Sequence, residues 1–213
     1  MATLKINPST IAERSDTPHS VYHLSDNPEL FEISRDNNFE FVVTDLDGIL
    51  KVGMDGSEQN AYIPNAQEML RLSVNSSSIP HFTQRAIQVK RGNNTLNYAG
   101  VPEFGNHTLK VIDFIGADAK TILMSWQNLS YNVETEKVGL ITDYKKDCFL
   151  LEYSPDYQLV RKWKLYGCWV SEIREGDFSA DNNGKRQIDV TIIYDKAQLD
   201  RTDEVYFINK NIV

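Results

Sequence analysis

Gln187-Ile188-Asp189-Val190-Thr191-Ile192-Ile193-Tyr194 alternates apolar and polar residues almost without a break. Ile188, Val190, Ile192 and Tyr194 fall on one side, and Gln187, Asp189 and Thr191 on the other. Side chains in a strand repeat every two residues, so such a stretch buries one face and wets the other. Strands of this kind belong to antiparallel sandwiches and barrels. Parallel sheets, covered on both faces, read instead as continuous apolar runs. The stretch therefore predicts a mainly β fold, an antiparallel β-sandwich or barrel.

The same pattern spreads outward from it. Strands are expected over Asp147 to Tyr153, Val160 to Ile173 and Arg186 to Asp195, with another from Thr108 to Ile115. One helix interrupts them, from Ala119 to about Tyr131. Asp118 is placed to cap it, and Ile122, Leu123, Trp126 and Leu129 make an apolar stripe at spacings of three and four. Trp126 on that stripe reads as packing. Upstream, Phe39, Phe41 and Val43 alternate on a first strand. Pro64 to Met69 reads as a short helix start, and Leu70, Leu72 and Val74 then alternate as a strand. Ile87 and Val89, the turn Gly92-Asn93-Asn94, and Thr95 to Tyr98 read as a hairpin. Residues from Gly53 to Tyr62 form a polar, glycine-bearing loop.

The chain has 213 residues and a net charge of −8, enough length for one domain with extensions. That charge excludes wrapping nucleic acid, which needs a dense basic face. It suits a surface past which nucleic acid slides without sticking. Cys148 and Cys168 are too few for a disulfide framework and read as buried thiols. No Cys/His spacing suggests zinc, and no metal or cofactor is expected. The first residues lack the apolar core of a signal peptide, and no apolar run reaches membrane length, so no membrane partner is expected. His19, His23, His81 and His107 make no catalytic pattern.

One enzyme motif is tempting. Val42-Val43-Thr44-Asp45-Leu46-Asp47-Gly48 resembles the first motif of haloacid-dehalogenase-type phosphatases. The resemblance implies Asp45 as nucleophile, Asp47 as general acid, and Mg²⁺ between carboxylates and phosphate. Gly176 to Asp181 resembles that family's acidic metal motif, Thr83 its hydroxyl, and Lys162 or Lys164 its lysine. Against this, the strand feeding the acidic motif reads Val170-Ser171-Glu172-Ile173-Arg174-Glu175, which puts charges into a sheet that must be buried on both faces. The expected function is therefore non-enzymatic, with a Mg²⁺-dependent phosphatase as a distant alternative.

Several segments, in order, resemble another family, the tail tube proteins of bacteriophages. They are Leu70 to Pro80, Arg91 to Gly100, the helix carrying Trp126 after Val111-Ile112-Asp113, Leu165 to Ile173, and Ile188 to Asp195. The resemblance covers about Asn38 to Ala197. It implies a β-sandwich or barrel protomer with one flanking helix, hexameric rings, and rings stacked into a hollow tube that conducts DNA during ejection. Three regions follow: an extended N-terminal arm (1–37), the β domain (38–198) and a C-terminal tail (199–213). In such a tube Gln187, Asp189 and Thr191 would face an acidic lumen, and DNA would pass without specific binding. Inter-ring contacts would come from the arm, the loop and the tail, with Asp47, Leu50, Met54, Tyr62, Tyr206 and Phe207 as candidates. Val205 to Ile208 reads either as a strand given to a neighbour or as a terminal strand of its own domain. The resemblance further implies sheath, baseplate and tail terminator proteins as partners, and a place in the virion tail after assembly in the bacterial host cytoplasm. A baseplate tube initiator or a secretion-system tube is the alternative within the same structural class.

Overall fold

The strand that opened the sequence reading forms as Gln187–Ile193, with Ile188, Val190 and Ile192 buried and Asp189 exposed. The computed structural model describes residues 33–47, 49–52, 58–116, 118–177, 179 and 184–200. In chain order the elements are β1 (Phe39–Val43), β2 (Leu50–Val52), β3 (Glu58–Tyr62), α1 (Ala66–Ser73), β4 (Val74–Ser77), β5 (Phe82–Arg91), β6 (Asn94–Phe104) and β7 (His107–Ile112). Then come α2 (Ala119–Ser130), β8 (Tyr131–Asn132), β9 (Lys137–Val138), α3 (Ile141–Tyr144), β10 (Lys146–Tyr153), β11 (Leu159–Glu175), β12 (Gln187–Ile193) and β13 (Lys196–Asp200). Met54, Tyr206 and Phe207 lie outside the described residues.

The main sheet runs β1-β10-β11-β12-β7-β4, with β13 also on β11, and every pairing in it is antiparallel. It bends at β11, whose first half pairs with β10 and β13 and whose second half pairs with β12. Gly167 sits at the middle of that long strand. Its φ is +64°, and a Cβ there would lie 2.4 Å from the Asp195 carboxylate, so the corner is built for glycine. The two halves fold face to face. Phe41 of β1 stacks on His107 of β7 with ring centroids 5.0 Å apart. Phe41, Val43, Cys148, Leu150 and Leu165 from one half meet Leu109, Val111, Ile188, Val190 and Ile192 from the other in one core.

Helix α2 forms where the cap and stripe place it. Asp118 Oδ1 accepts the Thr121 N–H at 2.9 Å, and Ile122, Leu123 and Trp126 are buried. The Trp126 indole N–H donates to the Tyr144 carbonyl at 2.8 Å, which ties α2 to the one-turn helix α3.

The strand expected from Leu70 to Val74 is a misreading. Residues Ala66–Ser73 are helical, and Ala66, Leu70 and Ser73 form the buried face. A strand would put Leu70 and Leu72 on one side, yet Leu70 is buried and Leu72 is 68% exposed. The helix closes with the Ser73 hydroxyl donating to the Met69 carbonyl at 2.7 Å. Both cysteines are free and buried as expected, and burial pushes the Cys148 thiol up.

Candidate assembly surface

The antiparallel sheet removes the frame that a dehalogenase-type phosphatase needs. Asp45, at φ +57°, and Asp47 occupy the turn after β1, which pairs with β10 alone among the described strands. That is a turn at a sheet edge, where the phosphatase motif requires a central parallel strand. The Asp47 carboxylate accepts the Gln67 N–H at 3.3 Å, so it serves the first turn of α1, whose own cap residue Asn65 makes no side-chain cap bond. Asp177 is exposed, and Asp181 lies outside the described residues.

The residues expected at a lumen lie together. Register places Lys110, Asp189 and Arg174 in one row across β7, β12 and β11, with Thr108, Thr191 and Glu172 in the next. Gln187 pairs with Ile112 at the start of the strand. Lys110 Nζ is 3.9 Å from Asp189 Oδ1, and Arg174 Nε is 2.6 Å from Glu172 Oε1. Cations and anions thus alternate here. This face is charge-balanced, where an acidic surface was expected. Exposed pairs of this kind contribute little to folding. We expect Asp189→Asn to change protomer stability by less than about 0.5 kcal/mol in urea denaturation.

The outer face of the sheet's other half has a different character. Lys162 Nζ lies 4.8 Å from the Phe149 ring centroid and Lys164 Nζ 4.5 Å from that of Tyr166. Lys164 also approaches Asp147 at 3.3 Å. Lys162 likewise lies 3.9 Å from Asp200 Oδ2, so the cations of this face are paired with carboxylates as well.

Among the candidate inter-ring residues, Leu50 and Tyr62 are register partners across β2 and β3. The longest fully exposed strand among the described residues belongs to an element that the sequence marks as a hairpin without a function. Strands β5 and β6 form a separate two-stranded sheet around a Gly92-Asn93 turn. Every residue of β5 is exposed. One face carries the rungs Ile87–Tyr98 and Val89–Leu96, and the other carries Gln88–Asn97 and Lys90–Thr95. Ile87 is 56% exposed and Tyr98 54%, so the apolar face has no cover among the described residues. The hairpin is rooted where Phe104 meets Tyr194, at 6.0 Å, and Phe82, at 5.8 Å. Gly100 accommodates an irregularity in the pairing; a Cβ there would lie 2.3 Å from the Arg85 carbonyl oxygen.

A two-stranded ribbon is marginal in water unless something packs on it. The antiparallel two-layer core flanked by the capped helix α2 is the protomer that the tail tube resemblance implies, and the uncovered ribbon is a feature added by the structure. The family model of the T4-like virus tail tube protein gp19 matches residues 37–198. The chain belongs to this family. The tail tube protein gp19 of Enterobacteria phage T4 is 26% identical over 123 residues, spanning 56% of this chain and 76% of that protein. Two solved structures share the fold. One is a chain of the sheath–tube complex of the extracellular contractile injection system PVC in its extended state, at TM-score 0.55 and 18% identity, covering 85% of this chain and 98% of that one. The other is the tube-terminating cap of the anti-feeding prophage, at TM-score 0.55 and 14% identity, covering 79% and 91%. The gp19 family is one of structural tube proteins, which fits a non-enzymatic chain. Among the described residues no group of three or more His, Cys, Asp or Glu is gathered to hold a metal, and no helix is long and apolar enough to cross a membrane.

Proposed function

We propose that this gp19-family chain builds hexameric rings that stack into the tube of a virion tail, and that DNA passes through the lumen during ejection. The observation that carries this is the β5–β6 hairpin, whose apolar face is exposed in the isolated protomer. Covering Ile87, Val89, Leu96 and Tyr98 against a neighbour contributes about 1 kcal/mol each, given that they start half-exposed. Repeated around a ring and along a stack, that contribution holds an assembly together.

The lumen wall in this reading is the face carrying Gln187, Asp189 and Thr191. Its charges neutralise one another in pairs, so a passing phosphate backbone meets no net field to hold it. Assembly takes place in the bacterial host cytoplasm, with sheath, baseplate and terminator proteins as the other partners. The N-terminal arm (1–37), the segment from Asp47 through Met54 to Tyr62, in which Leu50 and Tyr62 sit on the paired strands β2 and β3, and the tail (199–213) with Tyr206 and Phe207 add further ring-to-ring contacts.

Negative-stain microscopy of the purified protein tests the proposal. Hollow rods of constant width with sixfold end views are expected. Single rings that never stack would reassign the chain to a tube initiator, and a strictly monomeric protein would sink the tube reading. A second expectation concerns Gly100→Ala. The added methyl meets the Arg85 carbonyl and distorts a hairpin that packs little on the core. The melting temperature of the unassembled protomer should move by less than about 4 °C, a change of under about 1 kcal/mol, while rod formation measured by sedimentation falls sharply.

A further inference from the structure

Resting on the self-assembly reading, we infer that the hairpin tip of one copy docks on the shoulder formed by β8, β9 and α3 of another copy. The two surfaces are complementary in both polarity and charge. On the hairpin, Arg91 shares a face with Ile87 and Val89, and Lys90 stands beside it at the tip. Among the described residues neither Lys90 nor Arg91 has an ion-pair partner. Arg85, further down the ribbon, is held by Glu103 at 3.3 Å. The tip is thus apolar on one side and basic at its end.

The shoulder is its counterpart. Val138 is 77% exposed and Leu140 70%, with Val133 and Ile141 also open to solvent. The segment 131–144 carries exposed Glu134, Glu136 and Asp143 against one cation, Lys137, and Lys145 at the end of α3 is held by Asp195 at 2.6 Å. An open groove of about 410 Å³ runs between α2 and this shoulder, lined by Leu129, Val138, Glu134 and Asp143 together with the cation Lys137. It offers space for aliphatic side chains, with carboxylates at its rim.

Phe114, Ile115, Leu72 and Tyr157, also exposed, do not offer this combination. Phe114 and Ile115 lie between Asp113, which faces Arg186 at 3.6 Å, and Asp118, which caps α2. Leu72 lies beside Glu68, which is bonded to Arg71. Tyr157 follows Asp156, which accepts from the Ser154 hydroxyl. The carboxylates of the shoulder have no ion-pair partner among the described residues, so a basic tip finds its charges uncommitted there. Tip and shoulder are different patches of one chain. Their contact is heterologous, and each docked copy still presents a free tip or a free shoulder. That is the geometry a ring or a stack needs.

Charge reversal tests the docking in the full chain. One variant carries Lys90→Glu with Arg91→Glu, and a second carries Glu134→Lys with Asp143→Lys. All four side chains are exposed, so each protomer should keep its circular dichroism spectrum and melting curve. Each variant alone should form rods about tenfold less than the unmodified chain, because like charges then face each other. A chain with all four changes should recover. In parallel, Val89→Cys combined with Leu140→Cys should give disulfide-linked oligomers on oxidation of assembled protein, since Cys148 and Cys168 are buried. Rods of the unmodified chain together with unaffected shoulder variants, no recovery in the four-change chain, or no cross-link would overturn the docking and leave the tube reading intact. A monomeric unmodified chain would overturn both.

Discussion

Replacing Trp126 by alanine is expected to cost the unassembled protomer about 4 kcal/mol. Three contributions combine. The indole is 1% exposed and sits in the core face of α2 with Ile122 and Leu123, so its removal leaves a cavity that a close-packed interior cannot fully close. Its N–H bond to the Tyr144 carbonyl at 2.8 Å is lost, and that acceptor must find water or stay unpaired. The bond also anchors α3, whose Tyr144 ring meets Trp169 of β11 edge-on at 6.2 Å. Trp126→Phe separates these effects, because it keeps most of the volume and removes the hydrogen bond. It should cost about 1–2 kcal/mol. With total stabilities of about 5–15 kcal/mol for such domains, the alanine variant approaches the limit of folding at 37 °C. Urea denaturation at neutral pH measures both variants. A loss below about 1 kcal/mol for Trp126→Ala would show that α2 is not fastened to the sheet as described.

Trp126 also marks where the sequence was most legible. A cap residue and an apolar stripe are local signals, and α2 formed where they placed it. The period-two pattern of β12 was equally readable, because a one-residue slip would bury Asp189 and expose Ile188. The stretch after Pro64 was not readable in this way. Leu70, Leu72 and Val74 satisfy a strand period, and Ala66, Leu70 and Ser73 satisfy a helical one. The buried neighbours of Leu70 decided between them. Strand β13 escaped notice because Lys196–Asp200 holds two apolar residues and forms through backbone pairing with β11. The wet face was legible in position but not in charge. Lys110 and Arg174 come from strands far apart in the chain, and pairing alone brings them beside Asp189. The hairpin could be read from Ile87, Val89, Leu96 and Tyr98. That no further strand among the described residues covers it is a property of the whole fold, which no local pattern encodes.

Acidification should destabilise the protomer through His107. This imidazole is fully buried, stacks on Phe41, and lies between the Ser77 hydroxyl at 2.9 Å and the Ser78 hydroxyl at 3.3 Å. Ser77 faces Nε2 and Ser78 faces Nδ1, so the protonated ring nitrogen donates to its serine and the other nitrogen accepts from its own; the neutral ring is satisfied, while no carboxylate among its contacts compensates a charge. Burial lowers its pKa from the usual 6.5 to about 4. Between those values the unfolded chain takes up a proton that the folded chain refuses. The contribution to stability is therefore complete above pH 6.5 and is lost as pH falls toward 4, to a total of about 3 kcal/mol. Urea denaturation at pH 7.5 and pH 4.5 should show this loss, on top of that from other groups. His107→Gln should lose about 2 kcal/mol less across the same interval. NMR of the wild-type ring supplies an independent readout, with its signals staying those of neutral imidazole down to about pH 5. A ring that titrates near 6.5 in the folded protein would mean that the two halves of the sheet do not close over it, and the face-to-face core built on Phe41 and His107 would have to be abandoned.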